Sequence, residues 1–425
     1  MALCVSLSRS APLLRRWLTF ARSGEDGLQH ERIPDVQALA KELEGSGLDG
    51  LEIIDPATEG FVERARDIFE RDGFVCLKAL DEEQTATLHK RVEQNLREIF
   101  FSGENGDGVI DPNMGAKGAW RYAFGSLSKS GSCLHLPEWA ALVGMPHIDA
   151  ILTAIWRSPN FACYMGGGDF VLPGSEYQPL HSDLGDATKR ETDAATGQLT
   201  DILRPDAPER EGYVYTDMAR GSANVFHDKS HRLTVMQLPT PIINVHFTTI
   251  PWTPQNGPLR IIPGTHRDDG EMPSLRDEPD WMKKGCCLCP LPAGSAIIRD
   301  VRAWHGGGPN VSPDVRAMPS TNYFAPWYNA AFRKCMPVEI YESLSPRAQE
   351  LCRFLVLEDG DDELELGWRP LGPMGSATHA LSAERMQELR NEPGRGSQTG
   401  YWPPESSGGG GPEELQLPHA SSAKL

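Results

Sequence analysis

The patterning of the chain predicts a mainly β fold with helices at both flanks. Extended segments rich in aromatic and β-branched residues fill the middle (GGDFVLPGSEYQPL, PAGSAIIRDVRAWH and RAMPSTNYFAPWY), while residues 331–392 carry helical spacing with cap signals. Strands at the centre and helices outside them point to a double-stranded β-helix, a cupin-like jelly roll buttressed by helices. Residues 36–330 are expected to form one domain. A length of 425 residues does not demand two cores, since single barrels often exceed ~150 residues. In the helical extension, Ser345 and Pro346 make an N-cap and N1 pair for PRAQELCRFLVLE, and Ser382 caps AERMQELR.

The residues with the clearest chemistry lie at predicted strand ends: His181 and Asp183 in YQPLHSDLGD, and His305 in DVRAWHGGGPN. Residues i and i+2 of a strand share a face, so His181 and Asp183 can grip one ion while Ser182 points away. With His305 they form a set of two histidines and one carboxylate, which covers one face of an octahedral Fe(II) and leaves three positions open.

His-x-Asp is a cheap pattern in a chain of twelve histidines, and it occurs three times. His147 and Asp149 follow Pro146 at a helix start, where Asp149 reads as a first-turn carboxylate facing the helix dipole. His266 and Asp268 fall in a turn-rich stretch, where the imidazole packs or caps a loop. Only His181 is presented by an extended segment.

Arg316 follows His305 by eleven residues, at the start of RAMPSTNYFAPWY. An arginine returning beside the metal strand clamps a dicarboxylate through two parallel hydrogen bonds. His246, on the INVHF segment, reads as a satisfied core group and stays outside the ligand set.

These residues and their surroundings resemble the phytanoyl-CoA dioxygenase family of Fe(II)/2-oxoglutarate oxygenases. The likeness runs from FVERARDIFERDGFVCLKALDEEQTATLHKRVE through HSD and INVHFTTIPWTPQNGPLRIIPGTH to His305 and Arg316, roughly residues 61–330. It implies that His181, Asp183 and His305 bind Fe(II), that Arg316 binds the distal carboxylate of 2-oxoglutarate, and that ascorbate stimulates turnover. The amides of Gln178 and Asn244 are further candidates to donate to 2-oxoglutarate. Related halogenases replace the acid by a small residue, so Asp183 favours hydroxylation, with O2 consumed and succinate and CO2 released. The second reading is an inactive relative serving as a metal or carboxylate sensor; four intact site residues argue against it. The substrate is expected to be a small molecule, with an acyl-CoA or lipid-like acid as one class.

A net charge of −18 and the lack of a basic stripe exclude general nucleic-acid binding. No apolar run reaches 18 residues, so no membrane span and a soluble, intracellular, monomeric enzyme are expected. Nine cysteines without a paired zinc spacing read as core thiols, with KGCCLCP entering a strand. Residues 1–24, basic and free of acids, resemble a mitochondrial-type transit peptide. Residues 393–425 are Gly-, Ser- and Pro-rich, expected to be disordered, and end in Ala423-Lys424-Leu425, which resembles a peroxisomal address. Residues 185–239 form an insertion too long for an idle connection and are expected to act as a lid.

Overall fold

The computed structural model describes residues 36–101, 121–186, 188–192, 199–203, 213–215, 224–227, 235–267, 272–328 and 332–369, with backbone alone for the strands between 185 and 227. The two candidate targeting segments, the tail, the Ser382 cap and Asp268 lie outside the described residues.

Local rules set the first elements. After α1 (Val36–Glu42) and β1 (Ile53–Ile54), helix α2 (Phe61–Asp72) stops at Gly73, whose φ of 82° is left-handed and whose N–H bonds Phe69 O. The chain turns at once into β2 (Phe74–Lys78). Helix α3 (Glu82–Phe101) then opens on a reciprocal cap, with Gln84 N–H donating to Asp81 Oδ1 at 2.8 Å and Asp81 N–H to Gln84 Oε1 at 3.1 Å. Next come β3 (Arg121–Ala123), α4 (Phe124–Leu127), α5 (Pro137–Ala140), α6 (Pro146–Trp156) and β4 (Ala162–Val171). Short strands β5 (Leu184–Asp186), β6 (Thr188–Thr192), β7 (Leu199–Leu203), β8 (Tyr213–Tyr215) and β9 (Asn224–His227) occupy the expected insertion. They form two small sheets of their own, β5-β9-β8 and β6-β7, outside the main sheet. The chain continues with β10 (Ile242–Phe247), β11 (Leu259–Ile261), α7 (Asp280–Lys283), β12 (Ser295–Asp300), β13 (His305–Gly307), β14 (Arg316–Phe324), α8 (Val338–Ser343) and α9 (Pro346–Cys352).

Seven strands make the main sheet, in the order β1-β2-β12-β10-β14-β4-β3; β1 and β2 are parallel and the other pairs antiparallel. Directly paired residues share a face, so register sorts the side chains. Ile243, Val245, Phe247, Ala296, Ile298, Ala317 and Tyr323 point to one face and join the large core with α2, α3, α6 and α9. The opposite face packs Phe74, Cys76, Ile297 and Met318 against Leu259 and Ile261 of the two-stranded sheet β11-β13. Elsewhere that second face is polar. Arg299, Asn244 and Asn322 form one row across three strands, and His246 and Ser320 are paired in the next.

The mainly β expectation holds in part: the architecture is a mixed seven-stranded sheet with flanking helices, and strand content is modest. Three local expectations are corrected. His305 begins β13 instead of ending a strand, because the chain leaves the large sheet after Asp300 and enters the small one. That turn is fixed by a buried pair, Arg302 to Asp300 at 2.6 Å, while Arg302 also donates to Leu238 O at 2.8 Å. His181 sits in a single bridge to His305 and not in a long strand; β4 ends ten residues earlier, at Val171. KGCCLCP is a loop carrying one bridge, Arg260 with Cys287, though all eight described cysteines are buried and free, as core thiols should be. At the C-terminal end Ser345 caps α9 by accepting from Ala348 N–H, and Ala348, Leu351 and Cys352 join the large core. The helix ends at Cys352, short of the full patterned run to Glu358.

Candidate metal centre

Backbone pairing draws the two halves of the predicted site together. Gln178 N–H bonds Gly307 O, His181 and His305 exchange both N–H to O bonds, and Asp183 N–H bonds Val301 O, each at 2.9 Å. The glycines after His305 permit this approach: a Cβ on Gly306 would stand 2.7 Å from Gln178 O, and one on Gly307 2.1 Å from an Arg121 nitrogen. Two buried arginines hold the same backbone. Arg121 donates to Glu176 O at 2.7 Å and Gly308 O at 2.5 Å, and Arg260, paired with buried Glu278, donates to Gln178 O at 2.7 Å.

On this frame the imidazole centroids of His181 and His305 lie 4.1 Å apart. Each Nδ1 faces the carbonyl two residues back, Pro179 O at 3.1 Å and Ala303 O at 2.9 Å. A proton on Nδ1 donates to that carbonyl and leaves Nε2 as a lone-pair donor. The His181 Nε2 then lies 3.8 Å from Asp183 Oδ1, and the His305 Nε2 3.6 Å from Asp183 Oδ2. Both gaps exceed a hydrogen bond. One ligand atom from each residue falls within 4.8 Å of the others, the arrangement expected of donors around a shared ion. Burial, then the nearby Arg299 and His181, hold His305 well below the usual imidazole range, so it is neutral and able to coordinate.

The other predicted residues lie on or beside the polar face. Arg316 is 1% exposed, donates through Nε to Gly257 O at 2.8 Å, stacks over Trp252, and leaves a buried guanidinium nitrogen without a partner. Burial lowers its pKa to about 10. Gln178 Oε1 accepts from Gly307 N–H at 3.1 Å while its buried Nε2 has no partner. Asn244 lies between Arg299 and Asn322, and the side-chain oxygens of both asparagines are buried without partners. These buried donors and acceptors without partners are features that require an explanation. Two imidazoles with one carboxylate suit Fe(II), and an unpartnered guanidinium nitrogen suits a carboxylate. His246 is buried on the same face.

The rival His-x-Asp copies lie elsewhere. Pro146 and His147 start α6, and Asp149 in its first turn bonds Arg347 at 2.8 Å. His266 sits in a buried turn against Gly73.

Sequence reasoning missed Arg299, whose guanidinium donates to Asp183 Oδ2 at 2.6 Å and reaches within 3.1 Å of His305 Nδ1. Its signal was a charge inside the apolar run SAIIRDV. Arg121, Arg260 and Asn322 were also passed over; Asn322 could have been found by counting in steps of two from Arg316.

Comparison with known proteins places this arrangement among relatives. The family model "Phytanoyl-CoA dioxygenase (PhyH)" matches residues 230–318. "Dioxygenase af480" of Aspergillus fumigatus is 30% identical over 122 residues, a match that takes in 27% of this chain and 38% of the relative. Among solved structures, HygX from Streptomyces hygroscopicus, with nickel, 2-oxoglutarate and hygromycin B bound, is 13% identical with a TM-score of 0.40, covering 63% of this chain and 88% of that one. AviO1 from Streptomyces viridochromogenes Tue57 is 17% identical with a TM-score of 0.35, covering 63% and 97%. Residues 230–318, the stretch that carries Asn244, His305 and Arg316, are thus similar to the phytanoyl-CoA dioxygenase family.

Proposed function

We propose that the chain is an Fe(II)- and 2-oxoglutarate-dependent dioxygenase that hydroxylates a small organic substrate. The observation that carries this reading is the convergence of His181, Asp183 and His305 beside a buried polar face whose donors lack protein partners. In this reading the large sheet and the β11-β13 sheet are the two walls of a double-stranded β-helix.

Fe(II) held by His181 Nε2, His305 Nε2 and Asp183 would supply the centre at which O2 and 2-oxoglutarate react, giving succinate, CO2 and one oxygen atom for a substrate C–H bond. Arg316 anchors the distal carboxylate of 2-oxoglutarate through the nitrogen that the protein leaves unbonded. Gln178 Nε2 and the Asn244 amide donate to its oxygens. The Pro179 and Ala303 carbonyls fix both imidazoles in the coordinating tautomer. The 185–239 segment acts as a lid that keeps water from the reacting centre. An acyl-CoA or similar acid is one substrate class that fits a relative of this family.

The test is succinate release from 2-oxoglutarate by the purified chain under Fe(II), O2 and ascorbate, which needs no substrate when turnover is uncoupled. Wild-type protein should release succinate and His181→Ala should not. Equal release by both would overturn the ligand assignment. Tight binding of metal and 2-oxoglutarate without any oxygen consumption, across a metabolite extract, would instead favour a sensor.

A further inference from the structure

We propose that Arg299 is a positioning residue that fixes Asp183 as a one-oxygen ligand, an inference that rests on the metal-site reading above. Arg299 is anchored in the middle of the large sheet, on β12 opposite Asn244, and is 2% exposed. Its guanidinium donates to Asp183 Oδ2 at 2.6 Å. Asp183 is more open to solvent, with a third of its side chain exposed. The buried, sheet-anchored partner therefore orients the more exposed one.

The consequence is a matter of counting coordination positions. A free carboxylate can turn edge-on and take two positions on a metal. A charge-assisted hydrogen bond to Oδ2 occupies one oxygen and leaves Oδ1, the atom on the His181 side at 3.8 Å from its Nε2, to coordinate. Two imidazoles and one oxygen then fill three positions, and three stay open for a chelating cosubstrate and O2. Arg299 also supplies a positive charge that Asp183 faces before any metal arrives, and it stands 3.1 Å from His305 Nδ1. Arg299 reaches Asp183 from the same polar face as Asn244.

The experiment is an equilibrium titration of the full chain with Co(II), read by its ligand-field absorption, for wild type, Arg299→Ala, Arg299→Lys, Arg299→Gln and Asp183→Ala. Loss of a partner that orients a ligand typically weakens metal binding by about 10–100-fold. Arg299→Ala should show that loss together with a changed spectrum, Arg299→Lys should recover part of the affinity, and the metal-free melting curve should stay cooperative. Wild-type affinity and an unchanged spectrum in Arg299→Ala would overturn the proposal. If the alanine variant does not fold, Arg299→Gln takes its place under the same criterion. Asp183→Ala separates the two claims: if it too binds Co(II) like wild type, the metal-site reading fails and not merely the role of Arg299.

Discussion

The two faces of the seven-stranded sheet are built from alternate residues of the same strands, yet they obey opposite rules. On β10, Ile243, Val245 and Phe247 enter the large apolar core, while Asn244 and His246 between them point to the other side. On β12, Ile298 goes one way and Arg299 the other; on β14, Tyr323 goes one way and Arg316, Ser320 and Asn322 the other. Both faces are buried, so exposure does not explain the contrast. A sheet covered on both sides normally reads as a continuous apolar run. Here the second face carries buried polar atoms without partners, a cost of about 1–3 kcal/mol for each that persists only if something else repays it. The apolar face holds the fold together, and the polar face carries the unpartnered groups beside the candidate site.

Truncation on the apolar face should have the largest effect on stability. Phe247 is fully buried within the large core, and Phe247→Ala should cost about 3–5 kcal/mol through lost burial and a residual cavity. Denaturant unfolding measures the loss, while Co(II) affinity of the folded fraction should remain near wild type. A large fall in metal affinity with little loss of stability would break the division of labour between the faces.

Arg316→Met should give the opposite pattern. The pKa of Arg316 is pushed down to about 10 by burial, and a depression of that size corresponds to about 3 kcal/mol against the charged form. Methionine removes that burden while losing the bond to Gly257 O. Stability in the metal-free chain should therefore hold or rise, by up to about 3 kcal/mol. Binding of 2-oxoglutarate to the Co(II)-loaded protein, followed by titration calorimetry, should fall by at least about 100-fold, on the scale of a lost buried charge pair worth about 3–5 kcal/mol. A stability loss matching that of Phe247→Ala would mean that Arg316 is structural.

The same contrast explains what the sequence made legible. The convergence of His181, Asp183 and His305 was legible because each is chemically unusual in its segment and their order along the chain matches a known pattern. The central strands and the Ser345 cap were readable from local patterning. Arg299 was not, because its partner Asp183 lies 116 residues away and nothing local distinguishes a charge aimed into a cavity from one that closes a strand. The switch of the chain from β12 to β13 also escaped. It depends on the Asp300–Arg302 pair reaching Leu238 O, a partner 64 residues from Arg302 in the sequence.

A pH series tests a histidine outside the polar face. His266 is 2% exposed against Gly73, and burial first, with Arg302 opposing the attraction of Asp300, lowers its pKa from 6.5. The unfolded chain therefore takes up this proton near pH 6.5, while the folded chain does so only at lower pH. Unfolding binds protons in that window, so stability is full above pH 6.5 and declines below it. His266→Gln should flatten the decline by at most about 1.4 kcal/mol per pH unit. His135, His147 and His305, also lowered by burial, contribute to the slope that remains. An unchanged slope in the variant would show that His266 is charged in the folded state.

The smallest effect belongs to the outer layer that covers the apolar face. Ser345 Oγ accepts the N–H of Ala348 at 3.3 Å, and that bond starts α9, which lays Ala348, Leu351 and Cys352 onto the large core. Ser345→Ala removes the cap without changing any packed side chain, so the expected cost is about 1 kcal/mol, the ordinary value of an N-cap. Pro346 at N1 keeps the backbone prepared for a helix, which limits the loss. Thermal melts should shift by a few degrees, with Co(II) and 2-oxoglutarate affinities unchanged. Ala348, Leu351 and Cys352 of the helix join the large apolar core, so a change in either affinity would mean that the two faces communicate through the sheet.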